Sequence, residues 1–229
     1  MLRNLMLISN ILLVVFSFGL GIFSLVRNPK SKVVRLWFLA SMAVTIWAVG
    51  YLLSLTSPDA ETGFRNLKIV YFGASLIPIL SFHFITAFLY QDIAHKYLLI
   101  IGYIVSLIFL YFTTLTSSII TGARYLEKFG QYEEIETKWF LLFLAYFLFF
   151  SFYGIYLLYK GYRQSDGIRR KQCLYLMIAL LIGFLGGISN FVTDLTGIYP
   201  YGQFFVWLYP VIITYGIFGP FQIRIVKNF

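Results

Sequence analysis

Eight side chains of this sequence are of the types that hold a small ligand, and each has a partner among them four residues away. The pairs are Trp47 with Tyr51, Tyr71 with Ser75, and Gln203 with Trp207; the run SNFVTD adds Asn190 and Asp194, with Ser189 and Thr193 between and beside them. Residues at i and i+4 share one face of a helix. Aromatic walls with a few polar anchors are the usual lining of a small-molecule pocket. A plainer reading stands beside this one. Tryptophan and tyrosine near a membrane surface form an ordinary aromatic belt, and Asn190 with Gly183, Gly186 and Gly187 also suits close packing of helices.

Two further residues, His83 and Pro78, fall in the stretch from Lys68 to Tyr90, KIVYFGASLIPILSFHFITAFLY. At ~1.5 Å per residue, a helix of that length crosses a hydrocarbon layer of ~30 Å. Pro78 frees a backbone carbonyl and kinks the helix. His83 puts an ionisable ring at membrane depth, which is costly unless it faces protein or water. The pair is therefore a candidate switch inside the membrane, with the imidazole responding to protons or ligand. The simpler alternative is a neutral imidazole bonded to a neighbouring helix, for instance to a tyrosine. Either way, this helix is expected in the interior of a bundle.

Catalytic signatures are missing. The sequence has no H-E-x-x-H, no G-x-S-x-G and no G-x-x-x-x-G-K. Its two histidines, His83 and His95, do not make an ordinary zinc site, and the charged neighbours Asp92 and Lys96 keep His95 from serving as a second haem ligand. A retinal protein needs a buried lysine in its last helix, and residues 203–221 hold none. Cys173 is the sole cysteine, so an intramolecular disulfide is excluded. The expectation is a chain with no catalytic residue, metal or cofactor.

These residues need a membrane bundle to position them. The composition is 60% hydrophobic and 12% charged, against ~25% charged in a soluble domain. Seven apolar runs, roughly 5–26, 36–55, 68–90, 97–116, 139–159, 173–193 and 203–221, each approach the ~20 residues that a spanning helix needs. The first exceeds a signal-peptide core and lacks a small-x-small cleavage site, so it stays a span. The fold expected is an all-α integral membrane protein, a single seven-transmembrane bundle over 1–229 with no catalytic domain. The region 117–138 reads as a loop, with 117–123 as an optional extension of the fourth helix.

Alternate connections differ in charge. One set carries twelve basic and two acidic residues, including Arg27, Lys30, Lys32, Arg35, Arg169, Arg170 and Lys171; the other carries six basic and seven acidic residues. Basic loops stay on the cytoplasmic side, so the amino terminus is expected outside and the carboxyl terminus inside. That placement accounts for the net charge of +9 without nucleic acid as a partner, and it suits contact with anionic headgroups.

Three stretches carry a family resemblance: RNPKSKVVRLWFLASMAVTIWAVGYLL, FRNLKIVYFGASLIPILSFHFITAFL, and GIRRKQCLYLMIALLIGFLGGISNF with IYPYG. Through Asn28-Pro29, Trp47, Gly50, Gly73-Ala74 with Pro78, His83-Phe84, Arg170 with Gln172, Asn190, Pro200 and Tyr215, the chain resembles the amino-terminal seven-transmembrane sensor region of prokaryotic histidine kinases over roughly residues 5 to 222. The resemblance implies a membrane-embedded input module in the plasma membrane of a prokaryote. The implied partners are the lipid bilayer, a cytoplasmic histidine kinase or other signalling protein, a second copy in a homodimer, and a small or lipid-like ligand. In that family the last helix usually continues into phosphoacceptor and ATP-binding domains. This sequence ends at Phe229 without a phosphoacceptor histidine box or ATP lid, and Gly219-Pro220 would bend or end the last helix. It is expected to be non-catalytic alone, either as a stand-alone sensor or as a piece of a longer product.

Two other functions compete with signal input. FSF recurs at 16–18 and 150–152, and Pro78 and Pro210 fall in the third and seventh runs. That pattern suits a small transporter made of two three-helix repeats joined by a linker helix, with the prolines as gating kinks. A structural or assembly subunit would show neither transport nor a pocket.

Overall fold

Each apolar run folds as a helix, and the polar residues flanking it set where the helix starts and stops. The computed structural model describes residues 2–127, 129–196 and 198–219, the side chains of 192 and 194–196 excepted. The helices are α1 (Leu2–Arg27), α2 (Lys32–Leu55), α3 (Ala60–Phe88), α4 (Lys96–Thr114), α5 (Phe140–Gln164), α6 (Gly167–Thr196) and α7 (Leu208–Phe218). Among them α1 to α6 are long and apolar enough to cross a membrane. Capping moves several starts ahead of the apolar runs. The Val34 amide donates to Ser31 Oγ at the head of α2, and the Thr62 amide donates to Asp59 Oδ1 over 2.8 Å at the head of α3. That bond, with its neighbours, holds the exposed Asp59 carboxyl below the usual carboxylate range. As a result α3 starts eight residues before the expected boundary at 68.

The last run departs from the expected 203–221 span. Tyr201–Phe205 forms a short 3-10 helix, and α7 begins only at Leu208, with 11 residues described. Pro210 sits in the first turn of α7, where a backbone N–H has no partner within the helix. It therefore sits where a proline fits the start of a helix and not in the interior, where a gating kink was expected. Pro78, by contrast, lies in the interior of α3. Pro220 lies outside the described residues.

The largest departure is in the fourth connection. Residues 117–123 do not extend α4. Instead β1 (Ile120–Leu126) and β2 (Gln131–Glu136) pair antiparallel, with Tyr125 opposite Tyr132 and Leu126 opposite Gln131. Gly130 takes the left-handed conformation that the turn needs (φ +67°). The ribbon holds together because it has something to lie on. Ile119, Ile120 and Phe129 are buried, β1 and β2 both pack on α3, and the Ser54 hydroxyl of α2 donates to the Tyr132 carbonyl. Among the described residues the fold is thus seven α-helices, one 3-10 helix and one hairpin, not purely α.

Helix packing is a closed ring: α1 against α2, α2 against α3, α3 against α5, α5 against α6, α6 against α7, and α7 against α1. Helix α4 lies outside the ring on α3, with Phe109 against Phe143 and Tyr146 of α5. Burial follows. In their most apolar windows α3 is 72% buried and α4 only 22%, so α3 is the interior helix and α4 the outlier. The two charge classes fall at opposite ends of the ring. Asp59, Glu133, Glu134 and Arg124 gather at the hairpin end, and Arg27, Lys32, Lys96 and Arg169 at the other, here called the basic end.

Candidate functional site

Inside the ring, below the hairpin, lies a partly open cleft with a cavity of about 30 Å³. Each wall follows from the helix that supplies it. Helix α2 contributes Val44, Trp47 and Tyr51, the last two ring edge to ring face with centroids 5.3 Å apart. Helix α3 contributes Val70, Tyr71, Ala74 and Ile77, successive turns of its buried face. Phe147 of α5, Phe184, Asn190 and Phe191 of α6, Val206 at the end of the 3-10 helix and Tyr209 of α7 complete the circle. Gly187 of α6 opens onto free space, whereas a side chain at Gly183 would meet the Tyr209 ring at 2.9 Å. Close helix packing and room for a cavity therefore come from neighbouring glycines of the same helix.

The top of the cleft is polar. Glu134 of β2 is buried, lines the cavity, and accepts a hydrogen bond from the Tyr71 hydroxyl at 2.6 Å. Burial pushes its carboxyl above the ordinary value, against the opposing pull of that hydrogen bond and of the Arg124 charge. A second, smaller cleft continues from the first through Tyr51, Glu134 and Asn190, and is otherwise lined by Gln131, Tyr132, Glu133, Thr193 and Pro200. The arrangement is an apolar aromatic bore under a vestibule of acids and amides.

Of the eight residues singled out by spacing, Trp47, Tyr51, Tyr71 and Asn190 meet at this cleft. Ser75 does not. Its hydroxyl turns back to the Tyr71 carbonyl over 2.8 Å and faces Thr113 of α4. Gln203 and Trp207 are also apart, because the 3-10 turn breaks the i, i+4 relation assumed for them. Gln203 is buried in an amide chain, donating to Asn10 Oδ1 and accepting from Asn190 Nδ2, both at 3.1 Å. Trp207 stacks on Phe16 of α1. The Asp194 side chain lies outside the described residues. Spacing missed Glu134, Tyr209 and the phenylalanines of α5 and α6. Nothing in the spacing of QYEEIE marks Glu134, because the adjacent Glu133 and Glu134 break a strand's alternation.

His83 is half-buried, and its Nδ1 lies 2.8 Å from the Tyr103 hydroxyl of α4, the pairing expected of a bonded imidazole. Near Pro78 the backbone is served by neighbours. The Ser75 carbonyl accepts from Ser106 Oγ of α4 at 2.7 Å and from the Tyr146 hydroxyl of α5 at 2.9 Å. At the basic end, Lys32 pairs with Asp92, and this bond holds the Asp92 carboxyl below the usual range. Arg27 lies over Phe23 and Phe218, Arg169 over Phe88 and Tyr90, and Arg170 over Tyr162. Lys30, Arg35 and Lys171 are exposed beside them.

With this geometry in place, a comparison with family models gives a match to the N-terminal 7TM region of histidine kinase over residues 10–221. No curated protein matches the chain.

Proposed function

The chain belongs to the family of N-terminal 7TM regions of histidine kinases, and from that premise we propose that it is the signal-input module of a two-component pathway. The family match covers the sensor region and no kinase catalytic domain. A stimulus enters at the hairpin end, and the response leaves from the basic end toward a cytoplasmic kinase or signalling partner. The observation that carries this reading is the position of Tyr209. It lines the cleft, and its ring also packs edge-on against Trp37 of α2 at 5.6 Å, with Trp37 in turn against Phe84 of α3. Occupying the cleft therefore shifts the contact between the last helix and the two helices at its centre. Packed cores convert such shifts into discrete rearrangements. The distribution of basic residues supports an outer amino terminus and a cytoplasmic basic end; the plasma membrane of a prokaryote and a homodimeric working form belong to the same proposal.

The test uses the native product, recovered from its own membranes by an antibody against the hairpin. ATP-dependent histidine phosphorylation should accompany it, on the same polypeptide or on a co-purifying one. Ala74→Leu, which fills the cleft from α3, should change that phosphorylation. Solute flux through vesicles containing the protein, with no phosphorylation, would instead select the transporter.

A further inference from the structure

Resting on the cleft as the input site, we propose that the stimulus read there is the proton concentration at the hairpin face: Glu134 exchanges a proton with water in the vestibule, and β2 seats on α3 or lifts from it accordingly. Size sets the class of stimulus. The cavity below the hairpin measures about 30 Å³ and its continuation about 10 Å³. A water needs about 10–15 Å³ in this measure, so the first space holds about two waters and the second about one. An organic molecule finds no room in either. Both spaces are partly open and share Tyr51, Glu134 and Asn190, which supply the polar partners that water requires. A short file of water therefore joins the acid to the hairpin face.

Glu134 is placed to turn a proton into movement. It is buried, and its carboxyl accepts from the Tyr71 hydroxyl at 2.6 Å, a bond that joins β2 to α3. Tyr132 lies two residues earlier, on the same face of the strand. It rests on α3 at Gly63, where a Cβ would come within 2.8 Å of its ring. These two contacts are the seat of β2 on α3. Among the described side chains, the titratable or charged groups facing Glu134 are Tyr71 of α3, Tyr51 of α2, Arg124 of β1, and Tyr132 and Glu133 of its own strand. Helix α6 adds the uncharged Asn190 and Thr193. Tyr71 and Arg124 both favour the ionised carboxyl, but burial opposes it more strongly, so the seated hairpin prefers the neutral acid. Ionisation is relieved when β2 lifts and water enters the cleft. That water arrives in the space lined by Tyr209, where the last helix meets the ring. Rising pH thus loosens the seat, and acid closes it.

The experiment follows hydrogen exchange of the hairpin amides in the full chain, held in lipid nanodiscs. Amides of α3 serve as the internal reference, and the intrinsic pH dependence of exchange is divided out. Between about pH 5 and about pH 8, hairpin protection should fall about ten-fold or more. Glu134→Gln is neutral throughout and should keep the acid-form protection across the range. Tyr71→Phe and Arg124→Gln each remove a group that favours the ionised carboxyl, so each should move the midpoint of the transition to higher pH. Should Glu134→Gln misfold, these two shifts decide. Protection that ignores pH in the unaltered chain overturns the proposal. So does a transition that survives in a folded Glu134→Gln, one that Glu133→Gln alone abolishes, or a midpoint that moves to lower pH in Tyr71→Phe and Arg124→Gln. The Ala74→Leu effect on phosphorylation is read at one fixed pH. If it persists while the hairpin ignores pH, the proton falls and the input site stands; if both fail, the site falls too.

Discussion

The Tyr71 hydroxyl donates to Glu134 Oε1 at 2.6 Å, tying the buried face of α3 to a strand 63 residues further along the chain. This bond closes the cleft, and it puts a carboxyl group where burial opposes ionisation. Burial raises the Glu134 carboxyl above its ordinary 4.5. The titratable and charged groups around it are Tyr71 of α3, Tyr51 of α2, Arg124 of β1, and Glu133 on its own strand. A group with a raised folded-state pKa keeps its proton longer in the folded chain, so it stabilises the fold at low pH. That contribution is full below the unfolded value and is lost as pH rises through the folded one. The thermal midpoint should therefore fall as pH climbs from about 4.5, and Glu134→Gln should flatten this slope. An equal slope in the variant would show that another group titrates.

The α2–α3 crossing makes a second prediction. A Cβ on Gly73 would lie 2.6 Å from the Ala43 carbonyl oxygen and from the Trp47 amide nitrogen, and one on Gly50 would lie 2.5 Å from the Val70 nitrogen. Backbone cannot swing aside as a side chain does. Gly73→Ala is expected to cost about 1–3 kcal/mol or more, and to displace Trp47 from the cleft wall. Equilibrium unfolding in mixed micelles, with fluorescence of the chain's tryptophans, reads both effects. Normal stability with unchanged fluorescence would place the two helices further apart than described.

How much of this was legible in the sequence depends on the distance between cause and effect. Uncharged runs flanked by capping residues give the six long helices directly, because a backbone in lipid must satisfy itself within one segment. Trp47, Tyr51, Tyr71 and Asn190 were legible because regular helices keep i, i+4 faces over several turns. Gln203 and Trp207 were not, since the 3-10 turn at Tyr201–Phe205 rotates the chain differently. Glu134 was the hardest. Strands of seven and six residues, the second with three glutamates, read as a solvated loop until the α3 surface beneath them is known. The family match, for its part, speaks to the region as a whole and not to any residue in the cleft.

A third prediction concerns the amide chain Asn10–Gln203–Asn190, which joins α1, the 3-10 turn and α6. Ser9 adds a hydroxyl bond to the Gln203 carbonyl at 2.9 Å. Asn190→Ala removes the donor to Gln203 Oε1 in a buried place. A buried acceptor left without its donor costs about 1–3 kcal/mol. Replacing both Asn190 and Gln203 by leucine should cost less than the two single changes added together, because neither partner is then stranded. Additive losses would mean that the amides act independently.

The last prediction concerns Pro78 in the interior of α3. Pro78 cannot donate to the Ala74 carbonyl four residues before it, and a proline in a membrane helix is tolerated where neighbouring helices serve the backbone around it. Here the Ser75 carbonyl receives two donors, Ser106 of α4 and Tyr146 of α5. One donor suffices to keep the oxygen satisfied, so Ser106→Ala or Tyr146→Phe alone should cost roughly the ~0.6 kcal/mol average for hydrogen bonds between membrane helices. The double variant strands the carbonyl and should cost more than the sum. Tyr71 lies one turn before Ser75, and its backbone carbonyl accepts the Ser75 hydroxyl, so a shift here reaches the bond that closes the cleft. The double variant should therefore also lose the pH slope assigned to Glu134. A double variant with additive cost and an intact slope would separate the backbone around Pro78 from the input site and leave these bonds a matter of packing alone.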